Sequence, residues 1–256
     1  MKNSNLLKSS LLALLVLPGI ALAESAHTVS SNVSFATDYL FRGLTQTGAK
    51  PAIQGGMDYA HTSGLYAGAW GSNISWLSDT SVSDTASLEL DTYVGYSSSF
   101  AGDFGYDVGY LRYNYPGSYG SGATKGDTDE IYGALSWNWL TAKYSYSLGD
   151  TFGFADAKGS SYIEVSASYT IADAGVDLGV HYGKQTFKGA GNSLSDYSDY
   201  NVSASKDFNG YVVGLTYSAT DTKKGAGEAW YITAPVSGSS YDMGKGTAVL
   251  SVSHAM

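Results

Sequence analysis

Eight carboxylates fall on the polar side of short alternating stretches in this chain: Asp38, Asp58, Glu89, Asp91, Asp107, Glu130, Glu164 and Asp177. Two bases, Arg42 and Lys143, share that side with the amide Gln54 and the titratable His181. Carboxylates spaced in this way along neighbouring strands would form rings of fixed negative charge, which favour cations and repel anions. The plain alternative for Asp38 or Glu89 is cross-strand pairing that stiffens a wall. Arg42 is one of only two arginines. It would stand at an outer mouth, or brace the first loop against Glu89 or Glu130.

Covalent chemistry finds less to work with. The four histidines are His27, His61, His181 and His254. Only His181 would sit mid-strand near an acid, Asp177, with Ser166 or Ser168 on the preceding strand. A triad also needs a base close to its nucleophile and an oxyanion site, and a chain this rich in serine produces such a grouping by chance. No two histidines have metal-ligand spacing, and no phosphate-cradling glycine loop leads into lysine and serine or threonine. The sequence therefore implies no cofactor and no metal. A barrel hydrolase stays as an alternative behind transport.

The start of the chain reads as an export signal. Lys2 and Lys8 precede an apolar run from Leu11 to Ala23, and Ala21-Leu22-Ala23 is a small-x-small cleavage pattern. Residues 1–23 are thus expected to be a signal peptide and 24–256 a single barrel domain. The run is too short to cross a bilayer as a helix. Cleavage removes two lysines and no acid, so the mature chain is more acidic than the precursor's −9. That charge repels phosphate and excludes nucleic acid as a natural partner. The absence of cysteine excludes a disulfide framework. The 22 tyrosines suit a membrane boundary, where the ring is buried in apolar surroundings and the hydroxyl stays wet. The 32 glycines suit strands that must leave room in a lumen.

These groups need strands to carry them. Alternation marks twelve, at about 29–42, 50–61, 65–76, 86–98, 103–115, 128–138, 140–149, 160–171, 174–186, 198–207, 211–221 and 245–256. Connections after even-numbered strands are short, as in Asn138-Trp139 and Phe208-Asn209-Gly210. Those after odd-numbered strands are longer, as in Gly117–Gly126 and Thr222–Gly244. Short periplasmic turns and long external loops are the habit of outer-membrane barrels. The fold expected is all-β: a 12-stranded antiparallel transmembrane β-barrel with both ends in the periplasm.

Period-two alternation assigns faces. Val176, Leu178, Val180 and Tyr182 look outward, while Asp177, Gly179, His181 and Gly183 look inward. In strand one Val33, Phe35, Tyr39 and Phe41 oppose Ser34, Ala36, Asp38 and Arg42. In strand three Tyr66, Trp70, Ile74 and Trp76 are taken as outward and the small residues Ala67, Ala69, Gly71 and Asn73 as inward. Phe104, Tyr106 and Trp137 fit an aromatic girdle. A soluble barrel or sandwich also alternates, with its apolar face inside. Glycine and alanine on the polar face, the lack of helices between strands and the alternating connection lengths weigh against it.

Several segments carry a family resemblance: Ser31-Asn32-Val33-Ser34, Asp38-Tyr39-Leu40-Phe41-Arg42-Gly43 with Gln46, Lys50-Pro51-Ala52-Ile53-Gln54-Gly55-Gly56 and Tyr66-Ala67-Gly68-Ala69-Trp70-Gly71-Ser72-Asn73. Leu88-Glu89-Leu90-Asp91, Tyr106-Asp107-Val108-Gly109 and Tyr115-Pro116-Gly117 extend it. Together they resemble the TorF family of porin-like proteins of proteobacteria. The resemblance implies an outer-membrane barrel and brings neither a defined solute nor catalytic residues. The chain ends His254-Ala255-Met256 rather than in the aromatic residue common to such barrels.

Twelve strands at about 4.8 Å spacing and about 40° tilt close to a backbone radius of roughly 12 Å, leaving a bore of ~10 Å or less. That bore would pass ions and small solutes, unless a folded-in loop such as Thr222–Gly244 blocks it. Arg42, Gln54, Glu89, Glu130 and Glu164 belong near the outside; Asp58, Asp107, Asp177 and Lys143 belong lower. The function expected is a porin giving passive, weakly cation-preferring passage of small solutes. A non-conducting structural or surface-recognition barrel is the alternative. Its partners would be outer-membrane lipid, lipopolysaccharide and the solutes. Arg112, with outward parity, would meet lipopolysaccharide phosphate or snorkel, and Lys206 would snorkel at the periplasmic edge.

Overall fold

The computed structural model describes residues 26–83, 85–222 and 241–256. Its strands are β1 (His27–Ala36), β2 (Leu40–Phe41), β3 (Leu44–Thr45), β4 (Ala52–His61), β5 (Leu65–Asn73), β6 (Leu88–Phe100) and β7 (Phe104–Asn114). They continue as β8 (Thr128–Trp137), β9 (Leu140–Ser147), β10 (Ser161–Ile171), β11 (Val176–Thr186), β12 (Tyr197–Phe208), β13 (Tyr211–Thr220) and β14 (Thr247–Ala255). One short helix, α1 (Trp76–Asp79), follows β5. All but β2 and β3 form one closed barrel of sequential neighbours, sealed by antiparallel pairing of β1 with β14. Closure leaves no unpaired edge, which a strand in hydrocarbon requires. The twelve barrel strands match the twelve expected to within two or three residues at most ends. The proposed signal peptide lies outside the described residues.

The exterior is apolar. Leu135 and Val180 are 62% and 53% exposed, and Val29, Ile53, Ile163, Val202 and Leu250 are exposed with them. Leaving such a belt in contact with water is unfavourable, so it suits a lipid-facing surface. Phe100, Phe104, Trp137 and Trp139 are exposed at the periplasmic edge, where Phe104 stacks on both Phe100 and Trp137. Tight turns sit at the same edge; Asn209-Gly210 has positive φ at both residues, as a two-residue hairpin demands.

Two assignments of direction are overturned. In β5 the large residues Tyr66 and Trp70 point inward, and Leu65, Ala67 and Ala69 share the outward side. The reason is local. Tyr66 lies over Gly95 and Tyr93 lies over Gly68, where an added Cβ would come within 2.3–2.6 Å of the ring atoms. Tyr132 covers Gly109 in the same way, and Tyr162 covers Gly183. Interior glycines here are seats for tyrosine rings from neighbouring strands rather than open space. Apolar size therefore does not report the lipid side on these strands. The second correction concerns the end of the first strand. β1 stops at Ala36, and Asp38, Tyr39, Phe41 and Arg42 belong to a loop folded into the barrel, not to its wall. Ile74 and Trp76, assigned outward, are likewise buried beneath the loops.

Candidate functional site: a hairpin across the bore

The inward loop runs from residue 37 to 51 and carries β2 and β3 as a miniature hairpin, with Leu40 opposite Thr45 and Phe41 opposite Leu44. Its two-residue tip is Arg42-Gly43, with φ of 46° and 78°. Glycine takes that conformation freely and arginine rarely does, so strain is concentrated at Arg42. Gly43 is required for a second reason: an added Cβ would lie 2.6 Å from Asp199 Cβ and from Thr220 Cγ2.

The hairpin hangs from β1 and β4 and reaches the opposite wall. Arg42 Nη2 donates to Glu130 Oε2 on β8 at 2.8 Å, and Nη1 donates to Gln185 Oε1 on β11 at 2.7 Å. The guanidinium also lies 4.3 Å from the Tyr162 ring centroid on β10 and 4.8 Å from its neighbour Phe41. The ion pair is dry, with side chains 7% and 1% exposed. At the base, Thr45 and Thr47 donate to Asp38 Oδ1. Burial pushes the Asp38 carboxyl above its ordinary range, and these hydrogen bonds pull it back only in part. Tyr39 donates to Glu89 at 3.1 Å and meets Trp70 edge-on.

External loops close over the hairpin. Leu44, Trp76, Leu77, Tyr115, Phe187 and Met243 form a buried apolar cluster across the outer mouth. The loop long enough to block the bore, Thr222–Gly244, lies over 223–240 outside the described residues. The segment found crossing the bore is 37–51.

The remaining singled-out residues fall into three groups. Near the outside, Gln54 accepts a hydrogen bond from Ser34 and faces Ser72. Glu89, Asp91 and Glu130 are buried there, each with one carboxylate oxygen lacking a hydrogen-bond partner. In the middle, Lys143 rests 4.4 Å from the Tyr132 ring centroid, Asp58 accepts from Tyr93, and Asp107 accepts from Tyr66 at 2.6 Å. On the far wall His181 joins Tyr162, Asp199 and Glu164, at 2.9, 3.1 and 3.4 Å. Asp177 accepts from Thr170 instead. His181 is thus occupied by a tyrosine and two acids, and the Ser166–His181–Asp177 line needed for nucleophilic catalysis is not assembled.

Sequence reasoning missed Asp199, because it was placed on no ring, and missed the inward aromatics Tyr39, Trp70, Tyr93, Tyr113, Tyr132 and Tyr162. A glycine directly opposite an aromatic residue was the signal that could have found Tyr66, Tyr93 and Tyr132. Outside the bore, Arg112 pairs with Asp129 at 2.8 Å and lies 3.7 Å from Asp127. Its charge is met by protein at the outer rim. Lys206 donates to the Ala174 carbonyl at the periplasmic edge.

A closed twelve-stranded barrel with an apolar outer belt and a polar, tyrosine-lined interior has the architecture of outer-membrane β-barrels. Sequence comparison carries this one step further: the model of the Gcw_chp family, bacterial proteins of unknown function, matches residues 20–255, and the chain belongs to that family. No curated protein is detectably similar in sequence. Among solved structures, the NanC porin superposes with a TM-score of 0.51 at 9% identity, covering 89% of this chain and 98% of NanC. OprD of Pseudomonas aeruginosa gives 0.38 at 14% identity, covering 90% of this chain and 66% of its own. OccAB3 of Acinetobacter baumannii gives 0.43 at 12%, covering 90% and 65%. The chain spans about two thirds of the length of these two larger barrels. The likeness to NanC is one of fold.

Proposed function

We propose that the protein is a porin of the bacterial outer membrane, exported by cleavage of residues 1–23, that gives small solutes passive passage with a weak preference for cations. The TorF resemblance points the same way. The observation that carries the reading is the imbalance of charge along the inward faces. Asp38, Asp58, Glu89, Asp91, Asp107, Glu130, Glu164, Asp177 and Asp199 stand among the described residues against Arg42 and Lys143. Fixed carboxylates in a narrow aqueous path attract cations and exclude anions. A second reading, a non-conducting structural barrel, draws on the hairpin that crosses the bore from β1 to β8 and β11.

Planar-bilayer recording of the purified chain decides between them. The porin reading expects discrete conductance steps and a cation-directed reversal potential in a salt gradient. Glu89→Gln and Asp107→Asn should each move that potential toward zero. Silence of wild-type protein would establish the structural barrel, and an anion-directed potential would refute the charge argument.

A further inference from the structure

Beneath the hairpin the barrel holds a chamber with a cavity volume of about 140 Å³. Its wall includes Tyr39, Trp70 and Tyr93, together with Asp38 and Asp91. The two acids are 3% and 7% exposed; Asp38 Oδ2 and Asp91 Oδ1 receive no hydrogen bond from a base, hydroxyl or amide among the described residues, and Asp91 lies against the Glu89 carboxyl. A buried carboxylate oxygen in that condition is costly unless something supplies a donor or a charge.

The barrel itself shows what satisfies such a wall. Its two interior bases are each seated on an aromatic face with an acid near by. Arg42 lies on Tyr162 and pairs with Glu130. Lys143 lies on Tyr132 and stands directly opposite Glu164 in the strand register. Positive charge over a ring face is attracted by the ring quadrupole, more strongly where water is excluded. The chamber repeats these ingredients at Tyr39, Trp70 and Tyr93 with Asp38 and Asp91. Among the described residues, no base of the protein forms an ion pair with either of these two acids.

From this repetition we infer that the chamber is a binding subsite for a small organic monocation, an alkylammonium group held between the aromatic wall and the carboxylates of Asp38 and Asp91. Lys143 lines the same chamber and repels a second positive charge, which restricts the ligand to a single one. Gln54, Ser34, Thr216 and Ser251 line the chamber as well and offer hydrogen bonds to a neutral polar end. This subsite deepens the cation-preferring reading, and its test is made without current.

The full chain in detergent micelles is titrated calorimetrically with n-butylammonium chloride, and with n-butanol and sodium butyrate as neutral and anionic counterparts. Saturable binding is expected for the ammonium alone. Asp91→Asn and Asp38→Asn should each weaken it about tenfold, and Trp70→Leu about threefold to tenfold. Asp173→Asn, in a periplasmic turn, should leave it unchanged. Folding of every variant is checked by its heat-dependent electrophoretic shift. If one aspartate variant fails to fold, the other and Trp70→Leu still decide. Equal binding of butanol or butyrate, or undiminished binding by the folded variants, would overturn the assignment. Binding by a protein that is silent in bilayers would keep the subsite and remove only the transport reading.

Discussion

Arg42→Ala isolates the contact on which closure of the bore depends. In the native state the Arg42–Glu130 pair is 2.8 Å long and almost fully dry. Glu130 Oε1 has no hydrogen-bond partner, and Oε2 has, besides Arg42, only a 3.4 Å hydrogen bond from Tyr113. Removing one member of a buried ion pair costs about 3–5 kcal/mol, because the other charge is left uncompensated. The barrel wall is tied by continuous backbone ladders, so the hairpin is the element free to respond: by leaving, it admits water to Glu130. At about 1.4 kcal/mol per factor of ten, the docked-to-undocked ratio should fall by roughly two to nearly four orders of magnitude. The chain has no cysteine, so Leu44→Cys places a single thiol on the hairpin at a buried position. Its maleimide labelling should accelerate roughly a hundredfold or more in the Arg42→Ala background. Single-channel conductance should rise in parallel. The exchange Arg42→Glu with Glu130→Arg should restore slow labelling in part. Labelling and conductance both unchanged by Arg42→Ala would refute the latch and leave the hairpin held by its apolar contacts alone.

Two further outcomes follow from the packing. Gly109→Ala would place a Cβ 2.5 Å from the Tyr132 hydroxyl and 2.6 Å from its ring, forcing the tyrosine off its seat beneath Lys143. A loss of about 1–3 kcal/mol in a urea folding titration is expected, and a neutral result would show that the ring has room to move. Val180→Arg puts a charge on the lipid side of β11 midway between the rims, and should cost about 2–4 kcal/mol of folding into vesicles. Tolerance of that arginine would contradict the lipid-facing orientation.

Strand number, connection lengths and the lipid side of strands such as β11 were legible in the sequence, because each depends on local spacing. Val180 and Leu178 stay exposed on the outer face, so their hydropathy reports their direction faithfully. The inward bearing of Asp107 and His181 follows from the same parity. The sequence could not show where the first strand ends. Tyr39 and Phe41 continue to alternate with Asp38 and Arg42 through the bend, and a hairpin has the same period as the wall it leaves. It could not assign β5 either. Trp70 and Tyr66 point inward because Gly95 and the facing strands make room for them, and that room is created only when the barrel closes. The ion pair of Arg42 with Glu130 joins residues 88 positions apart across the full bore. Local pattern placed each of them on the polar side of its own segment. Only the closed cylinder decided that one would cross it to meet the other, since a partner across a lumen is fixed by circumference and tilt rather than by neighbours in the chain.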